Sequence, residues 1–134
     1  MLKAGVLGAG HLGKIHLRLL KESSRYELVG FYDPDSIQGK AVSEEFGIPY
    51  FDNMNTLIES VDVVDIVTPT LSHYECAKKA IASGKHVFIE KPITHTQKEA
   101  EELISLLRAK GLKGQVGHVE RFNPAFQAVN HLIE

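Results

Sequence analysis

The stretch Lys3-Ala4-Gly5-Val6-Leu7-Gly8-Ala9-Gly10-His11-Leu12-Gly13 decides the fold. Lys3–Leu7 reads as a short strand, a G-x-G-x-x-G set follows it at once, and Leu12, Ile15 and Leu19 mark the helix that comes next. A glycine set placed between a strand and a helix is far more informative than the same letters elsewhere. Gly8 suits a tight turn, Gly10 leaves room for a phosphate to reach the backbone, and Gly13 permits close packing of helix on strand. The helix start then offers unpaired N–H groups and a partial positive charge to an anion.

Outward from this stretch, strand-length apolar runs alternate with helix-period segments. The strands are expected at Lys3–Leu7, Leu28–Tyr32, Val63–Val67, His86–Ile89 and Lys113–Val116, with a shorter one near Pro49–Phe51. Such alternation predicts an α/β fold with a doubly wound, mostly parallel six-stranded sheet. Ala100, Leu103, Ile104 and Leu107 give one helix stripe, ended by Gly111. Ser72 and Glu75 read as a capping box for a helix that Gly84 ends, and Ser36 as the cap of a helix carrying Ile37, Ala41, Val42 and Phe46.

The 134 residues are 43% hydrophobic and 24% charged, the composition of a soluble globular domain that buries a core without disulfide or metal staples. The net charge of −2 provides no field for nucleic acid or an anionic membrane, and no stretch has the length and apolarity of a membrane span. A lone Cys76 and the absence of a leader-like apolar segment fit a cytoplasmic protein. Residues 1–117 read as one domain. Residues 118–134 read as a connecting segment and the start of a further helix, with Phe126, Val129, Asn130 and Ile133 at helical spacing, so the chain is expected to stop short of a second, substrate-binding domain.

Asp33 ends the second strand about 20 residues beyond Gly13, where a carboxylate accepts hydrogen bonds from an adenosine ribose. A 2'-phosphate would meet its charge, and Pro34 and Asp35 supply no neutralising arginine, so NAD is expected and NADP less so. Thr68-Pro69-Thr70 and Glu90-Lys91-Pro92 follow two later strands, at the sheet edge where parallel sheets bind ligands. Each is either a proline-built turn or a part of the site.

The seven histidines show no His-x-x-x-His or Cys-x-x-Cys arrangement, and His73 with Cys76 supplies at most two ligands, so no metal is expected. Cys76 reads as a small helix residue facing the sheet, and Lys98–Glu102 as a solvated helix face. His118 and Arg121 either border the cleft or stabilise a turn.

Gly8–Gly13, Asp33, Thr68-Pro69-Thr70 with Leu71-Ser72-His73-Tyr74, and the run Ala80–Pro92 together resemble the glucose-fructose oxidoreductase/inositol dehydrogenase (Gfo/Idh/MocA) family, in order and over essentially the whole chain. The resemblance implies a Rossmann cofactor domain of an NAD(P)-dependent oxidoreductase acting on a sugar, cyclitol or related polyol. It implies that Gly8, Gly10, His11, Leu12 and Gly13 surround the pyrophosphate and that Asp33 meets the adenosine ribose. It further implies that Thr68, Pro69, Thr70 and His73 line the cofactor cleft, that Glu90 lies near the nicotinamide, and that Lys91 is the catalytic lysine. The ending Gly117–Pro124 is similar to members that oxidise UDP-N-acetylglucosamine-type sugars at the 3-position. The full-length protein is then expected to be a homo-oligomer whose partners are small-molecule sugars, polyols or nucleotide sugars. A non-catalytic dinucleotide-binding sensor is the alternative, which Lys91 beside Glu90 disfavours.

Overall fold

The computed structural model describes residues 1–132. Its elements run β1 (Leu2–Leu7), α1 (His11–Glu22), β2 (Tyr26–Tyr32), α2 (Ser36–Phe46), β3 (Tyr50–Phe51), α3 (Met54–Ser60), β4 (Val63–Ile66), α4 (Thr70–Ala82), β5 (His86–Ile89), α5 (Gln97–Lys110) and β6 (Gly114–Val116). A single 3-10 turn, Val119–Phe122, then leads to the short helix α6 (Pro124–Val129), and a second, Asn130–Leu132, follows it. The helical spacing expected to reach Ile133 ends in that turn, and Ile133 itself lies outside the described residues.

The six strands form one sheet in the order β3-β2-β1-β4-β5-β6, and all five pairings are parallel. Parallel strands are covered on both faces, so alternate residues of one strand feed two cores. Val6 joins Leu17, Phe31, Val42 and Ile48 beneath α1 and α2, whereas its neighbour Leu7 joins Leu57, Ile58, Ala77, Ala80, Ile81 and Leu103 beneath α3, α4 and α5. The chain order reverses between β1 and β4, so helix α1 leaves on one face and α4 on the other. A crevice opens where they part.

Several local expectations shift by a residue or two, each for a physical reason. Asp35, not Ser36, caps α2: its carboxylate accepts from the Ile37 and Gln38 N–H groups, and Ser36 is the first helical residue. Helix α4 begins at Thr70, because Pro69 already has a φ of −55° suited to a helix start; Ser72 therefore falls inside the first turn and forms no capping box. The true box is Thr96 with Glu99 at the start of α5, each side chain bonded to the other's backbone N–H. Gly84 and Gly111 do take left-handed conformations at the ends of α4 and α5. On α5 the buried stripe includes Leu103 with the partly buried Leu106 and Leu107, while Ile104 turns to solvent.

On α1 the face towards the sheet is Gly13, Leu17 and Leu20, which leaves Leu12 and Leu19 respectively 42% and 58% exposed. The cause is Gly13. A Cβ there would strike the Gly8 carbonyl oxygen and come within 2.8 Å of its carbon, so this residue marks the closest approach of helix to strand and sets the helix rotation. Gly13→Ala is expected to destabilise the chain by about 1–3 kcal/mol or more through overpacking, measured as a lower urea midpoint at unchanged slope.

Candidate cofactor cleft

The crevice between β1 and β4 is a cleft of about 730 Å³, lined by Gly8, Gly10, His11, Leu12, Gly13, Asp33, Thr68 and Pro69 among others. Gly8 makes the turn out of β1 at φ +100°, and a Cβ on it would meet the Val67 carbonyl oxygen at 2.7 Å, so the loop can hold only glycine here. Gly10 differs from its two partners. Beyond its own chain neighbours, no atom lies within 4 Å of where its Cβ would be, and the room it leaves opens onto the cleft.

Helix capping sets two of the helices at this cleft apart from the others. Helices α2, α3 and α5 start with side-chain caps from Asp35, Asn53 and Thr96. Helices α1 and α4 start at Gly10 and Pro69 with no side-chain cap, and neither has an acid in its first turn. Both caps line the cleft. Unpaired N–H groups at two helix ends, with no carboxylate to compete, form an anion cradle that fits the pyrophosphate of a dinucleotide.

Asp33 is buried, 8% exposed, at the end of β2. One carboxylate oxygen accepts the Ala9 N–H at 2.8 Å and the other the Asp35 N–H at 2.9 Å. Gln38 Nε2 donates to the Ala9 carbonyl at 3.0 Å and closes the same ring of contacts. The carboxylate is thus held rigidly, and its remaining lone pairs are available to ribose hydroxyls from a fixed direction.

The strand-end clusters sit as their spacing requires but play different parts. Thr68 and Pro69 line the cleft wall, and Thr70 is the first residue of α4. His73 does not reach the cleft, contrary to the expectation: it is 1% exposed, with Nδ1 2.8 Å from the Pro92 carbonyl oxygen and Nε2 2.8 Å from that of Thr68. Its place is behind the wall, tying the loop after β4 to the loop after β5. Glu90 directly follows β5 with its side chain 13% exposed, its Oε2 accepting the Lys91 N–H at 3.1 Å, and Lys91 is exposed with a cis peptide bond to Pro92.

Sequence reasoning passed over His16 and Asp65, which the structure brings to Glu90. His16 Nδ1 lies 2.8 Å from Asp65 Oδ2 and Nε2 3.3 Å from Glu90 Oε1. Burial alone would lower the His16 pKa, but the Asp65 hydrogen bond and the charges of both carboxylates outweigh it and raise the pKa above 6.5. Burial also pushes the Asp65 carboxyl upward, against the pull of His16. The signal was present: His16 lies three residues after Gly13, on the helix face that touches the sheet. Cys76 is buried as expected, and burial raises its thiol pKa. Among the described residues no group of three or more His, Cys, Asp or Glu side chains is placed to hold a metal ion, and no helix is long and apolar enough to cross a membrane.

Residues 2–118 match the family model of the Gfo/Idh/MocA oxidoreductases, described as an oxidoreductase family with an NAD-binding Rossmann fold. The chain belongs to this family. It is 36% identical over 126 residues to a UDP-N-acetylglucosamine 3-dehydrogenase of Acidithiobacillus ferrooxidans, an alignment covering 94% of this chain and 40% of that protein. The solved structure of that enzyme superposes with a TM-score of 0.89 at 34% identity, covering 98% of this chain and 43% of the other. A Bacillus subtilis scyllo-inositol 2-dehydrogenase (NAD(+)) is 33% identical, over 99% of this chain and 40% of its own length. A biliverdin reductase from Synechocystis, solved with biliverdin and NADP+, shares the fold at a TM-score of 0.89 and 26% identity, over 98% of this chain and 42% of its own. This chain therefore spans about two fifths of the length of these relatives.

The open space at Gly10 yields a test that separates binding from folding. Gly10→Ala is expected to shift stability by only about 0.5–1 kcal/mol while weakening NADH binding about tenfold or more, because its methyl group fills the phosphate cradle. Fluorescence titration of NADH beside thermal melting reads both effects.

Proposed function

We propose that this chain is the cofactor-binding part of an NAD(H)-dependent oxidoreductase that moves a hydride to or from a secondary alcohol carbon of a sugar, cyclitol or nucleotide sugar. The observation that carries the reading is the pair of uncapped helix ends over the Gly10 gap, with the fixed Asp33 carboxylate at one side. Gly8, Gly10, His11, Leu12 and Gly13 hold the pyrophosphate, Asp33 the adenosine ribose, and Thr68 and Pro69 the opposite wall, with Thr70 opening α4 behind them. Glu90 lines the neighbouring cavity of His16, Phe88 and Gly117 rather than the Gly10 cleft, and its assignment to the nicotinamide side is supported by its place after β5 in the second half of the doubly wound sheet.

Bound nicotinamide would supply the hydride acceptor or donor. The chain's own contribution is orientation and one proton. In the oxidative direction the unprotonated amine of Lys91 takes the proton of the substrate hydroxyl as its carbon loses hydride. In reduction the Lys91 ammonium returns that proton to the carbonyl oxygen. The names of the dehydrogenases at 33–36% identity support a polyhydroxylated substrate, and the UDP-N-acetylglucosamine enzyme supports a nucleotide sugar oxidised at the 3-position. Assembly of the full-length enzyme as a homo-oligomer belongs to the same proposal, as does a cytoplasmic setting, which the buried unpaired thiol of Cys76 supports.

Two measurements test the reading. A 2'-phosphate beside Asp33 meets a buried negative charge, so NAD(H) is expected to bind at least about tenfold tighter than NADP(H) in calorimetry, and the reverse order would refute the assignment of Asp33. In the full-length enzyme Lys91→Ala is expected to lower kcat by about 10²–10⁴ with little change in cofactor affinity, and near-normal turnover would remove Lys91 from the chemistry.

A further inference from the structure

Asp65, His16 and Glu90 form a line of three ionisable side chains that the proposed hydride transfer does not use. Both His16 ring nitrogens face carboxylate oxygens, at 2.8 Å on the Asp65 side and 3.3 Å on the Glu90 side. A neutral imidazole has one N–H and an ionised carboxylate has none, so two ionised carboxylates can both be satisfied only by the imidazolium. Asp65 is 6% exposed in the middle of β4, and its second oxygen, Oδ1, is buried with no partner among the described residues. His16 is thus what compensates this carboxylate.

Glu90 is held from three sides. His16 contacts Oε1, the Lys91 N–H donates to Oε2 at 3.1 Å, and the backbone of Gly117 lies so close that a Cβ there would come within 2.6 Å of Oε1. The Phe88 ring, 6.0 Å from that of His16 and tilted by 58°, covers the imidazole from β5.

We propose that His16 is a positioning residue for the nicotinamide end of the cleft, its imidazolium clamping Glu90 onto the turn from which Lys91 projects, with Asp65 as the buried anchor. The inference rests on the dinucleotide reading given above. Its consequence is pH-dependent. When His16 loses its proton, the single remaining N–H stays with Asp65, the closer and more deeply buried partner, and Glu90 is released. The clamp is therefore complete below about pH 6.5 and is lost as pH rises through the higher pKa of the folded state. The other titratable side chains lining the cavities around His16 are Tyr26 on β2 and His118 after β6.

The test compares NADH with ADP-ribose, which fills the adenosine and pyrophosphate parts of the cleft without a nicotinamide, on the 134-residue chain. His16→Gln is expected to weaken NADH about tenfold and ADP-ribose by less than about twofold. The wild-type preference for NADH should decline as pH is raised from about 6 to about 9, flatten in His16→Gln and persist in His118→Gln. Equal losses for both ligands, an unchanged ratio, or a pH dependence that disappears with His118 instead would overturn the proposal. Should His16→Gln not fold, 15N NMR of the wild-type ring decides: both nitrogens protonated near neutral pH supports the clamp, and a single neutral tautomer overturns it. If the wild type binds neither ligand, the dinucleotide reading fails and takes this inference with it. If it binds both and His16→Gln matches it at every pH, this inference alone fails.

Discussion

Helix α1 approaches the end of β1 so closely that no side chain fits between Gly13 and the Gly8 carbonyl. The rest of the site depends on that contact. It sets the rotation of α1, placing Leu17 and Leu20 in the core and His16 over the sheet. It also holds the N-terminus of the helix over the strand ends, beside the crevice that opens because β1 and β4 are neighbours with helices leaving on opposite faces. Two helix ends then converge on one space.

Those two ends are unfinished in a telling way. The sequence supplies side-chain caps to α2, α3 and α5 and none to α1 and α4, whose cap residues Gly10 and Pro69 line the cleft. An uncapped helix start forgoes roughly 1 kcal/mol of local stability. The backbone donors left over are the ones an anionic ligand would satisfy. Asp33 is arranged on the opposite principle, with its carboxylate already engaged and fixed by the Ala9 and Asp35 N–H groups. Two histidines brace the far side. His73 links the carbonyls of Thr68 and Pro92, and His16 links the carboxylates of Asp65 and Glu90.

Much of this was legible before any coordinates. The glycine set between a strand and a helix, a strand-end aspartate at the proper distance and five further strand signals led to the sheet, and every one of the six strands is found within about two residues of its expected place. Short and marginal features escaped. Helix α3 has seven residues, too few for a clear period, though Asn53 was its cap signal. The pattern S/T-x-x-E occurs at both Ser72 and Thr96 but makes a capping box only at Thr96, because it does not say where a preceding proline has already begun the helix.

The sequence by itself determined the alternation of strands and helices, the glycine turn and the residues at the strand ends, because these rest on local periodicity and on steric needs met within a few residues. Only the tertiary structure decided which of those residues face the cleft. His73 and His16 look alike as helical histidines in the chain, and their partners are 19 and 49 residues away at Pro92 and Asp65. Such pairings follow from the order of strands in the sheet, which brings β4 between β1 and β5 and sets their side chains on one face or the other. No local pattern encodes that order. It is fixed when the two cores close.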